Sequence, residues 1–138
     1  MTVQKMTLEQ KRAADALRQI KALKGQPSML EGKFCSYVKR LPAEILTEGL
    51  GQALATHLAA GGGSHGADAH ELLYRAVSDW LCRDDTNAPY HGYSNVIEGI
   101  VQKDAATYRQ AQTEAMSYLI WLKKFAVAFL TESVEDPS

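Results

Sequence analysis

The sequence predicts an all-α protein, a compact single-domain bundle of about six helices. Three observations predict it. Apolar residues recur three and four positions apart through most of the chain, the spacing that lays one stripe along a helix. No segment of useful length shows the two-residue alternation of a half-buried strand. Helix start signals and glycine or proline breaks punctuate the chain at helical intervals.

The elements follow in order. Thr7 with Gln10 reads as a capping box. The stripe of the first helix is Ala13, Ala16, Leu17, Ile20 and Leu23, and Gly25 and Pro27 end it. A second helix is expected from about Met29 to Arg40, with Leu30, Phe34, Tyr37, Val38 and Leu41 on one side. Pro42 suits the first turn of a third helix, where its missing N–H costs nothing, so a sharp corner is expected at Leu41-Pro42. The third helix carries Ile45, Leu46, Leu50, Leu54 and Leu58. Gly49 and Gly51 sit inside it at about 1 kcal/mol each relative to Ala, a cost that close approach of a neighbouring helix or chain would offset.

Residues 61–66, Gly-Gly-Gly-Ser-His-Gly, read as a flexible loop. Asp68 with Glu71 starts a fourth helix through Leu72, Leu73, Ala76, Trp80 and Leu81. Asp84 to Tyr93 reads as a loop, and a short helix follows near Ser94 to Gln102. Asp104 caps the longest helix, about Ala105 to Thr131, striped by Tyr108, Ala111, Ala115, Tyr118, Leu119, Leu122, Phe125, Ala126 and Phe129. The core is expected over residues 7–131, and the polar tail 132–138 is expected to fray.

A chain of 138 residues suits one domain and shows no internal repeat or long linker. At that size a fold buries about 68% of its unfolded surface, enough to hold a core without disulfide or metal. The net charge of -1 excludes a uniformly basic nucleic-acid binder but not a local basic face. Cys35 and Cys82 lie in apolar helical patterns outside any Cys-x-x-Cys pair, as expected of buried thiols in a reducing cytoplasm. No apolar run reaches the roughly 18 residues of a membrane span, and Met1 to Leu8 lack a signal-peptide core. A cytoplasmic protein with no membrane partner is expected.

The chain offers little catalytic chemistry. Gly61-x-Gly63-x-x-Gly66 matches the dinucleotide-binding glycine pattern, but that pattern works between a strand and a helix, and here a helix precedes it. His65 and His70 are five apart across a loop-to-helix boundary, which is not a ligand spacing on one helical face. His57 and His91 are isolated in the sequence, and no local signature supports a Cys–His nucleophile. Asp68, Glu71 and Asp104 are explained by helix starts. No catalytic residue, metal or cofactor is expected.

The basic residues are patterned more clearly. Lys11, Arg18 and Lys21 share the polar side of the first helix. Lys33, Lys39 and Arg40 punctuate the second, and Lys123 and Lys124 flank the last apolar stripe. Periodicity alone allows a solvated surface or a phosphate-facing strip. Ile120, Trp121 and Val127 broaden the last stripe, and Trp80 sits late in the fourth helix. These fit either a central helix buried on several sides or a subunit contact with an aromatic anchor.

One block carries a family resemblance. The run Tyr37-Val38-Lys39-Arg40-Leu41-Pro42-Ala43-Glu44-Ile45-Leu46-Thr47-Glu48-Gly49-Leu50-Gly51-Gln52-Ala53-Leu54-Ala55 resembles the signature of the small helical subunit of the type III-B CRISPR–Cas effector, the Cmr complex. Glu71-Leu72-Leu73-Tyr74, Ser78-Asp79-Trp80-Leu81, Tyr108-Arg109-Gln110-Ala111 and Trp121-Leu122-Lys123-Lys124-Phe125-Ala126 resemble that family in the expected order. The likeness spans about Lys11 to Leu130. Glu48 departs from the pattern, which often has Asn there, and puts an acid beside the glycine pair.

The resemblance implies a non-catalytic subunit. Several copies would line up beside the backbone subunits and the large subunit, as an inner filament along the CRISPR RNA–target RNA duplex. Target cleavage would belong to the backbone subunit. Lys33, Lys39, Arg40, Lys123 and Lys124 would then meet RNA phosphates without reading bases, since base pairing supplies sequence choice. The competing expectation is a helical adaptor that binds protein only.

Overall fold

The computed structural model describes residues 5–61 and 68–131. Six helices account for most of them: α1 (Leu8–Leu23), α2 (Ser28–Glu48), α3 (Leu50–Gly61), α4 (Ala69–Leu81), α5 (Val96–Gln102) and α6 (Ala105–Phe129). No strand occurs among the described residues. The all-α expectation holds. The glycine pattern at 61–66 falls almost wholly outside the described residues, as does the tail 132–138.

Local start signals act as the sequence indicates. The Thr7 hydroxyl accepts the Gln10 N–H at 3.1 Å, and the Gln10 side chain accepts the Thr7 N–H at 2.8 Å. Asp68 accepts the His70 and Glu71 amides at the start of α4, and Asp104 accepts the Thr107 amide at the start of α6.

The expected corner at Leu41-Pro42 is corrected. Pro42 lies inside α2, and the chain turns instead at Gly49, where φ is +88°. A proline within a helix costs about 3 kcal/mol, because it removes one backbone hydrogen bond and crowds the preceding turn. Val38, Leu41 and Ile45 lie on both sides of it and are fully buried. Burying one such side chain contributes about 1.5–3 kcal/mol, so keeping this stripe continuous outweighs the proline. Gly49 adopts the left-handed region that a side chain would resist.

The approach expected at the glycines comes from α6. A Cβ on Gly49 would lie 3.1 Å from the Tyr108 hydroxyl. That hydroxyl accepts the Gly51 N–H at 2.9 Å, and Gln112 Oε1 accepts the Leu50 N–H at 3.0 Å. The first amides of α3, which have no partner within their own helix, are therefore satisfied by α6.

Helix α6 is the packing centre. It lies between α1 and α2 and also touches α4, while α1 and α4 meet only lightly. Its direction follows from its side-chain bonds. Against α2 it is antiparallel: the Cys35 thiol donates to the Ala126 carbonyl, and Glu31 accepts the Thr131 N–H just past the end of α6. Against α1 it is parallel: Arg12 reaches Glu114, and Lys24 donates to the Phe129 carbonyl. Helix α3 packs on α4 and α2, and α5 rests against α3 and α4. Ala16, Ile20, Val38, Leu73, Tyr118 and Leu122 represent the shared core.

Candidate nucleic-acid interface

The sequence singles out Lys33, Lys39, Arg40, Lys123 and Lys124, and the structure exposes all of them. It does not draw them into a single line. Lys33 and Arg40 are two turns apart on α2, about 10 Å along its axis, and share its outward side. The antiparallel register set by Glu31–Thr131 and Cys35–Ala126 brings Lys39 close to the level of Lys123 along the α2–α6 seam. Lys124 is one position, about 100° of rotation, further around α6.

Several other cations are paired with acids. Lys11 reaches Asp85 at 4.0 Å, Arg18 pairs with Asp15, and Arg75 reaches Glu71 at 3.5 Å. Arg83 lies 3.7 Å from Asp85. Among the described residues, no carboxylate lies within ion-pair distance of Lys33, Arg40, Lys123 or Lys124. Arg40 instead lies 5.4 Å over the Tyr37 ring. That stacking holds the guanidinium while leaving its charge uncompensated. Two of the three cations picked out on α1, Lys11 and Arg18, are thus tied to acids, while Lys21 stays exposed.

Apolar side chains interleave with the cations. Leu46 is 73% exposed, Ile120 56% and Val127 45%. The last helix packs on several sides, against α1, α2 and α4, yet Ile120 and Val127 stay exposed on it. Trp80, by contrast, is buried, and its Nε1 donates to Glu114 at 2.9 Å. Trp121 is half-buried and donates to Glu9 at 3.1 Å.

The Trp80 contact belongs to a network the sequence does not reveal. Glu114 accepts two bonds from Arg12, at 2.7 and 2.8 Å, besides the Trp80 bond. Burial works against its charge, but the hydrogen bonds from Arg12 and Trp80 outweigh burial and lower its pKa. Arg83 stacks at 3.8 Å on Trp80, and Tyr118 stacks on that ring with centroids 5.1 Å apart. The Tyr118 hydroxyl donates to Asp15 at 2.6 Å. The partners of Glu114 stand 102 and 34 positions away, so no local pattern pairs them.

Nucleophilic chemistry finds little support in the thiols. Cys35 is buried, and burial pushes the Cys82 thiol up to about 11, which leaves almost no thiolate near neutrality. Among the described residues, no group of three or more His, Cys, Asp or Glu could hold a metal ion. A cleft between α1, α2 and α4, floored by Leu23, Phe34, Leu72 and Ala76, encloses about 110 Å³. Ordinary ligand clefts start at roughly 300 Å³. No described helix is long and apolar enough to cross a membrane. His57, isolated in the sequence, has in fact two side-chain partners, Glu44 and His70, each at 2.9 Å.

Comparison with known proteins places this arrangement. The chain resembles in fold a crystal structure of a CRISPR-associated Cmr5 family protein from Thermus thermophilus, with a TM-score of 0.69 and 22% sequence identity. The superposition covers 91% of this chain and 99% of that one. A family model described as CRISPR-associated protein (Cas_Cmr5) matches residues 8–129, a span that contains the Tyr37–Ala55 block and the cations of α2 and α6. The chain belongs to the Cas_Cmr5 family of CRISPR-associated proteins.

Proposed function

We propose that the chain is a structural subunit of an RNA-guided type III-B effector in the cytoplasm, where it silences invading nucleic acid without performing chemistry itself. Several copies line up beside the backbone and large subunits, as an inner filament along the CRISPR RNA–target RNA duplex. Lys33, Lys39, Arg40, Lys123 and Lys124 face the phosphates of that duplex. One observation carries this reading: Lys33, Arg40, Lys123 and Lys124 are exposed on α2 and α6 and meet no carboxylate among the described residues, whereas Lys11, Arg12, Arg18 and Arg75 do. Phosphate contact needs charge that is available, and it needs no base readout when pairing already selects the target.

The test is a mild-salt pull-down of the tagged protein from its own cells, with sequencing of bound RNA. Short RNAs sharing a repeat-derived end, recovered with larger partner proteins, support the reading. Partners recovered without such RNA support a second reading, a helical adaptor that binds protein only. The exposed Leu46, Ile120 and Val127 favour that alternative, because phosphates gain nothing from apolar neighbours and protein surfaces do.

A further inference from the structure

Three helices meet at a pair of histidines that the RNA-facing reading does not use. His57 of α3 is buried, and its Nε2 lies 2.9 Å from Oε1 of Glu44 on α2. Its Nδ1 lies 2.9 Å from Nδ1 of His70 in the first turn of α4. Tyr37 of α2 stacks on His70, centroids 3.9 Å apart and planes within 14°. Arg40 lies over the Tyr37 ring, and Asp68 caps α4 through the His70 and Glu71 amides. Among the described residues, the charged and titratable groups around the pair are Tyr37, Arg40 and Glu44 from α2, and Asp68 and Glu71 at the start of α4.

We propose that the His57–His70 contact is a one-proton joint, which fastens α3 to α4 and α2 while a single proton lies between the two rings and opens when both facing nitrogens are protonated. An imidazole nitrogen is either a donor or an acceptor. Two facing Nδ1 atoms at 2.9 Å must share one proton. With both rings neutral, His57 Nε2–H donates to Glu44, and His70 Nδ1–H donates to His57 Nδ1. One added proton leaves that bond intact, because Nε2 of His70 takes no part in it. A second added proton places an N–H on each Nδ1, aimed at the other.

The surroundings act in the same direction. Burial lowers the pKa of His70, as do neighbouring His57 and Arg40, against the opposing pull of Asp68 and Glu44. A histidine in the unfolded chain binds its proton near pH 6.5. A folded state that resists this proton loses stability as the pH falls below that value, by about tenfold in the folded-to-unfolded ratio per pH unit, until the folded pair itself protonates. Arg40 lies over the Tyr37 ring, so opening the joint also takes away the His70 ring stacked on that platform.

NMR titration of the histidine rings in the full chain decides the matter. The expected result is that the His57 and His70 signals both respond in each of two shared steps, as coupled rings do. Each ring following its own single step would overturn the joint. A second measurement uses His70→Asn, which keeps an N–H donor for His57 but cannot titrate. Its unfolding midpoint is expected to fall less between about pH 7.5 and about pH 5 than that of the wild type. An equal fall in both proteins would also overturn it. Neither readout depends on RNA, so failure of the RNA-facing reading leaves this inference standing, and the reverse holds too.

Discussion

Arg12 and Arg40 are both arginines on helices of the same bundle, yet their surroundings are opposite. Arg12 is held by two bonds to Glu114 and is 17% exposed. Arg40 is exposed, lies on an aromatic ring, and has no carboxylate within ion-pair distance among the described residues. Arg12, Arg18 and Arg75 are paired with acids of the same molecule, whereas Lys33, Arg40, Lys123 and Lys124 meet none among the described residues. Near-neutral total charge conceals this division.

Removing the acid from a paired cation tests the contrast most severely. Glu114→Ala leaves the Arg12 guanidinium and the Trp80 N–H without their partner. The expected loss is about 3 kcal/mol in a urea unfolding titration, typical of one partner removed from a buried pair. A loss below about 1 kcal/mol would show that solvent replaces the carboxylate easily.

Acid should probe the same pair more gently. The pKa of Glu114 is lowered in the fold, so its contribution is fully present above the ordinary value of 4.5 and is lost as the pH falls through the folded value. The wild type should therefore destabilise below about pH 4.5 by a component that Glu114→Gln lacks. Parallel acid curves for the two proteins would remove Glu114 from the account.

The unpaired cations should respond in the reverse way. Charge reversal at Lys123 and Lys124 together should shift unfolding by about 0.5 kcal/mol or less, as surface substitutions do. RNA retention by the assembled complex should nevertheless weaken, and the log–log salt slope should shrink by about 1.5 for two lost phosphate contacts. Unchanged retention across a salt series would leave these residues merely solvated. The smallest effect is expected at Arg75→Ala, whose exposed pair with Glu71 should contribute about 0.3 kcal/mol to the unfolding free energy and nothing to RNA retention.

The contrast also explains what the sequence can reveal. Helix starts at Thr7, Asp68 and Asp104 are local events, complete within a few residues, and are legible for that reason. Exposure of Lys33, Lys123 and Lys124 follows from their place opposite or beside an apolar stripe. Which cations meet an acid does not follow, because Arg12 finds Glu114 across 102 positions. His57 reads as isolated because its partners, Glu44 and His70, each stand 13 positions away on other helices. Pro42 misleads for a different reason. Its local preference for a helix start is real, but tertiary burial of Val38, Leu41 and Ile45 overrides it.

That proline has a consequence for how the molecule moves in time. Helix α2 is continuous in shape, but its hydrogen-bond ladder lacks the rung that Pro42 would have donated. Opening that begins at the Gly49 end meets a seam at that rung. Amide exchange is expected to open residues 43–48 as one unit before Ser28–Leu41. The family-like block thus crosses the missing rung, and its second half adjoins the glycines where α6 grips the start of α3.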